Sequence, residues 1–259
     1  DVIGWNPMEG PPPPESFDGV DCVFHLAGES VAEGRWTTAQ KATIRDSRIL
    51  GTKNLVSGIL QNKTGIKTLV SSSAVGYYGD RGEEDLTESS PPGNDFLADV
   101  CIDWEREADI AREQGVRVVT MRTGIVLGAG GGALAKMLTP FRLGAGGPLG
   151  NGRQWMPWVH VADLARLYIH ANETSSINGP MNAVAPNPVR NSEFTKALAA
   201  QLKRPAFMPA PYLGLRLVFG EFAKVLFASQ KVVPQAALET GFAYQFPFIK
   251  EALKDILSV

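Results

Sequence analysis

Three consecutive serines, Ser71, Ser72 and Ser73, close a short apolar run. A hydroxyl at the carboxyl end of a strand can hydrogen-bond a substrate carbonyl or hydroxyl, although serines also serve ordinary strand-end turns. Arg122 closes a second such run and is followed by Thr123 and Gly124. Its guanidinium suits a pyrophosphate or ribose, or else an ion pair at the strand end. A third run ends in Leu26, Ala27 and Gly28, small or apolar enough for the adenosine half of a nucleotide to lie against backbone. Arg48 brings a fixed positive charge from a helical stretch, to hold a phosphate or an acidic ligand, or to stay solvated on the helix surface. Acid–base candidates are Glu29, Tyr77, Tyr78 and His160, of which His160 has the ordinary pKa nearest neutrality. For each of them the structural reading outweighs the catalytic one, and the two tyrosines with Trp155 and Trp158 read as aromatic walls of a pocket.

The elements that must position these groups alternate. Asp21–Leu26, Lys67–Ser71 and Val116–Met121 are short, β-rich runs of the kind buried on both faces of a sheet. Between them, Thr38–Leu60 and Asp95–Gln114 carry helix formers, the second ending at Gly115, which suits a helix C-cap. Strands alternating with helices predict an α/β fold with a mostly parallel sheet and helices on both faces. Gly128–Gly132 and Gly144–Gly152 read as loops near a site. Val161–Ala171 reads as a helix with Asp163 in its first turn. Asn191–Leu202 reads as another, capped by Asn191 or Ser192. Prolines 205, 209 and 211 suggest a boundary, giving residues 1–202 as the main domain and 203–259 as a small, mainly helical one that packs on it.

Composition excludes several classes. The 259 residues are 44% hydrophobic, with 25 Lys and Arg against 27 Asp and Glu and a net charge of −2. That supports a sizeable core and carries no electrostatic footprint for nucleic acid. No apolar run reaches the ~18 residues of a membrane span. Two cysteines, Cys22 and Cys101, are too few for a disulfide framework or a zinc site, so no metal is expected and a cytoplasmic setting fits. The ligand expected is a small molecule; the oligomeric state is open.

Four segments in this order, HLAGES (25–30), LVSSSAVGYYG (69–79), MRTGIVLG (121–128) and WVHVADLA (158–165), resemble the extended short-chain dehydrogenase/reductases. Further stretches, SRILGT (47–52), DFLADVCIDWE (95–105), GGPLGNGRQWMPWVH (146–160) and QKVVPQAALETGF (230–242), are similar to an atypical, epimerase-like subgroup with a C-terminal domain of unknown function. The resemblance implies a Rossmann-like fold and a nicotinamide dinucleotide, NADP or alternatively NAD. It also implies a role for Ser73 as the catalytic serine. It departs at the catalytic helix. Aligned on Glu105, Leu97 stands where the family has its tyrosine and Cys101 where it has its lysine, and Arg48 takes the place of a helix asparagine. Leu97 has no proton to give and Cys101 no fixed charge. The implied function is an NAD(P)-binding epimerase or reductase acting on a small polar substrate such as a nucleotide sugar; the alternative is a non-catalytic sensor or partner-binding module. The family's glycine-rich phosphate loop is not in this sequence, so ~40 residues, the size of a strand–helix–strand unit, are expected to precede Asp1 in the natural protein.

Overall fold

The computed structural model describes residues 2–62 and 65–258; Asp1 and Val259, the outer limits of the two expected segments, lie outside the described residues. β1 (Cys22–His25) leads over a long loop to α1 (Thr38–Gln61), then β2 (Thr68–Ala74), α2 (Phe96–Asp109) and β3 (Arg117–Thr123). Then follow β4 (Ile125–Leu127), α3 (Gly132–Arg142), β5 (Trp158–His160), α4 (Val161–Glu173), β6 (Gly179–Ala183), α5 (Asn191–Leu202), α6 (Tyr212–Phe219) and α7 (Ile249–Leu257). The strands β1-β2-β3-β6 form one parallel sheet in that order, with β1 at one edge and β6 at the other.

Both faces of the central strands β2 and β3 are covered, so these two read as largely apolar runs. Leu69 and Val118 point toward α1 and α2, where they meet Leu55, Val56, Ile59 and Ala108. Their neighbours Val70 and Val119 point the other way, onto Leu167 and Tyr168 of α4. This is the doubly wound, Rossmann-like arrangement that the alternation predicts. The helix starts follow local chemistry: the Thr37 hydroxyl accepts from Gln40 N at α1, and Asp95 accepts from Ala98 N at α2. α2 runs on into a 3₁₀ turn that stops at Gly115, which takes φ 75°, a conformation open to glycine.

Two expectations need correction. β2 extends three residues past Ser71, because Ser72, Ser73 and Ala74 continue the ladder with Met121, Arg122 and Thr123. The N-cap of α5 is Arg190, whose backbone N–H donates to Glu193 (2.8 Å), while Asn191 is already helical and its side chain accepts from Leu149 N. The segment after residue 202 packs on the rest of the chain. Ile249, Ala252, Leu253 and Ile256 of α7 share a core with Leu127, Trp158, Phe194 and Leu198, and Lys231–Val232 pairs with Asp85–Leu86.

His25, the last residue of β1, is buried with Nε2 2.8 Å from Thr52 Oγ1 of α1. Burial pulls its pKa from 6.5 to about 4. Between those values the unfolded chain binds a proton that the folded chain does not, so stability rises with pH across the window and is lost on acidification. We expect about 3 kcal/mol to disappear between pH 6.5 and 4. Urea melts across that range check this: His25→Gln should flatten the slope, and an unchanged slope would rule out the assignment.

Candidate functional site

The carboxyl ends of β1 and β2 form a ledge. Leu26 is 64% exposed, Gly28 is open and Ala27 half-buried. α1 carries Arg48 back over this ledge: a methyl group at Gly28 would come within 3.4 Å of Arg48 Cζ. Arg48 Nη1 donates to Ile44 O (3.0 Å), and Cζ lies 5.2 Å from the Trp104 ring centre on α2. Among the described residues no carboxylate lies within 4.0 Å of this guanidinium, although the half-buried Glu29 is near enough to act on its charge. Burial lowers the Arg48 pKa from its ordinary value. A half-buried cation with no carboxylate partner among the described residues is the feature that suits a nucleotide here.

Across the ledge α2 presents the two replaced positions. Cys101 Sγ donates to Ala74 O at 3.7 Å, and a methyl group at Gly76 would meet Leu97 Cβ at 3.2 Å. Both therefore stand at the tip of β2, where acid–base groups would be wanted. Burial, then Glu105, pushes the Cys101 thiol up to about 12, so it stays protonated and neutral.

The second cluster is buried. Ser73 Oγ donates to Glu105 Oε1 (2.6 Å), and Arg122 clasps the same carboxylate side-on through Nε (2.9 Å) and Nη2 (2.8 Å). Arg122 Nη1 also donates to Tyr78 Oη and to Glu88 O, each at 3.1 Å, and Tyr78 Oη donates to Asn182 Oδ1 (2.6 Å). The Tyr77 ring centre is 3.4 Å from Arg122 Cζ. Burial opposes the Arg122 charge, but the hydrogen bonds and charge of Glu105 outweigh it and raise the pKa. Arg122 is thus an internal clasp, not a free phosphate ligand. Ser73, 3% exposed, has its proton committed to Glu105. Tyr78 offers no free phenol: burial pushes its pKa up to about 12. Tyr77 remains half-buried above the clasp.

Other expected residues scatter. Ser71 is fully buried beside His25 and Thr120, short of the strand tip. Ser72 points to the opposite face, its Oγ 2.7 Å from Tyr168 Oη, and Thr123 Oγ1 donates to its own strand at Met121 O (3.2 Å). A methyl group at Gly124 would fall 2.7 Å from Pro157 O, so this glycine serves the packing of β4 on β5 rather than a ligand. Trp158, 1% exposed, is core, not a pocket wall. His160 is buried as well: Nδ1 accepts from Ala162 N at the start of α4, and the ring stacks on Phe246. Trp155 is tied elsewhere, donating to Glu83 (3.0 Å) under Arg190. Only Leu26, Ala27, Gly28, Glu29 and Arg48 of the expected set meet at the ledge.

Glu105 holds this buried cluster together, joining Ser73 to Arg122. Its signal was present: Leu97, Cys101 and Glu105 recur every four residues, one face of a helix, and a carboxylate on a buried stripe demands a cation. Among the described residues no group of three or more His, Cys, Asp or Glu could hold a metal ion, and no helix is long and apolar enough to cross a membrane.

A doubly wound sheet with small residues at its strand tips, and a guanidinium there with no carboxylate partner among the described residues, fits the frame of a dinucleotide fold. The chain belongs to the NAD dependent epimerase/dehydratase family, whose profile matches residues 14–183, and a Domain of unknown function (DUF1731) matches residues 210–256. It is 39% identical over 252 residues to "Epimerase family protein Mb2239" of Mycobacterium bovis, covering 97% of this chain and 83% of that protein. The human epimerase family protein SDR39U1, solved with NADPH, superposes with a TM-score of 0.89 at 37% identity, over 97% of this chain and 84% of the other. UDP-glucuronic acid 4-epimerase from Bacillus cereus shares the fold (TM-score 0.76, 94% and 76% covered) at 13% identity.

Proposed function

We propose that this protein binds NADP, in preference to NAD, and acts as an epimerase- or reductase-like protein on a small polar substrate such as a nucleotide sugar. The observation that carries the reading is Arg48, a half-buried cation on the open ledge at Gly28 that has no ion-pair partner among the described residues. The residues present fit the dinucleotide: Leu26, Ala27 and Gly28 give a flat approach to backbone, and Arg48 supplies N–H donors to a ribose. The NADPH in the human relative supports the same choice. When bound, the nicotinamide would supply hydride chemistry; the chain's part is to bind and orient. With two free thiols, a reducing compartment such as the cytoplasm suits it.

A specific observation favours a second reading, binding without turnover. Leu97 and Cys101 stand at the β2 tip with no proton to exchange at neutral pH, and Ser73 is spent on Glu105. Glu29 and Tyr77 are the only expected acid–base groups left half-exposed.

Fluorescence titration of the full-length protein with NADPH, followed by a hydride-transfer screen over aldehydes, ketones and nucleotide sugars, tests both. Binding with turnover supports the first reading, and binding without it the second. No binding at near-millimolar NADPH would remove both.

A further inference from the structure

We infer that Arg48 makes this site selective for the reduced, uncharged nicotinamide over the oxidised, cationic one; the inference rests on the dinucleotide reading above and deepens it. β1, α1, β2, α2 and β3 form one mononucleotide-binding half of the sheet. In the half that holds the pyrophosphate, a three-glycine turn leads straight from strand to helix. Here β1 ends at His25, the next residues are Leu26-Ala27-Gly28-Glu29-Ser30, and α1 starts only at Thr38. This tip therefore does not present a helix N-terminus to a pyrophosphate. The half suits the nicotinamide mononucleotide, rather than the adenosine half that the small residues alone suggest.

The charges facing that tip come from three elements. α1 contributes Arg48. The loop after β1 contributes Glu29, held by its backbone N–H on Ser47 Oγ (3.0 Å). α2 contributes the neutral Cys101 thiol and, beside it, Glu105 neutralised by Arg122. Arg48 is the cation of this set that no carboxylate within 4.0 Å cancels, among the described residues. Oxidation of a nicotinamide creates a pyridinium with one positive charge. A fixed guanidinium beside it repels that form and leaves the neutral reduced form untouched. Two like charges several ångströms apart in a partly desolvated site differ by on the order of tenfold in binding or more. The same tenfold raises the potential of the bound two-electron couple by about 30 mV.

Dissociation constants for NADPH by fluorescence and for NADP⁺ by calorimetry, on the same full-length protein, test this. NADPH should bind on the order of tenfold tighter. Arg48→Lys should keep that ratio and Arg48→Gln should bring it toward one. Glu29→Gln, which removes the nearest opposing charge, should widen it. A ratio unmoved by Arg48→Gln, whether both affinities fall together or neither does, overturns the inference while leaving the dinucleotide site standing. A wild-type protein that binds neither form overturns the site and the inference with it.

Discussion

Arg122→Ala is expected to cost the fold about 3–5 kcal/mol, the scale for breaking one side of a buried ion pair. The guanidinium is 3% exposed and reaches Glu105, Tyr78 and Glu88 O at once. Its loss leaves Glu105, with a side chain only 13% exposed, holding a charge whose one remaining named donor is Ser73. Arg122→Lys should recover little, since a point-like ammonium cannot span both carboxylate oxygens. The pair Arg122→Met with Glu105→Gln should lose less than Arg122→Ala, because no charge is then stranded. Urea denaturation of the three variants decides it. An Arg122→Ala protein of native stability with weakened nucleotide binding would restore the phosphate-ligand role that the geometry denies.

Trp158→Ala is expected to cost a similar 3–5 kcal/mol, the range for emptying an aromatic core position. The indole is surrounded by Leu127, Phe141, Phe194 and Leu253 and donates to Asn187 O at 3.3 Å. A pocket wall would behave differently, with small losses of stability and a large change in ligand affinity. Denaturation midpoints and NADPH titrations of the same variant separate the two. A loss under about 1 kcal/mol, the level of an ordinary surface change, would sink the core assignment.

The strands that carry the sheet were legible because their burial on both faces leaves an uninterrupted apolar signal, as in Val116–Met121. β6 was not. Its sequence Gly-Pro-Met-Asn-Ala carries little strand preference, and Pro180 is tolerated because β6 stands at the sheet edge. Pairing with β3 and burial of Met181 and Ala183 make it a strand. α3 was hidden between two glycine-rich stretches and contains Pro140. At the site, Arg48 and Gly28, both read from the sequence as ligand-side residues, lie side by side at a strand tip. It misjudged Arg122 because a guanidinium at a strand end looks the same whether it faces a ligand or a carboxylate. Its partner lies 17 residues away on a different element, and only the packing of α2 against β2 and β3 joins them. Trp158 was misread for the converse reason: an aromatic residue near a glycine-rich loop resembles a pocket wall until α7 is seen covering it.

That late cover has a consequence for how the molecule is made. A ribosome can deliver β1 through β3 with both helices and leave them free to condense while translation continues. The compartment around Trp158 has no such option, because Ile249, Leu253 and Ile256 have yet to emerge. Until residues 249–257 are released, a greasy cleft stays open to chaperones, and a message cut short before them would yield a half-built product marked for proteolysis.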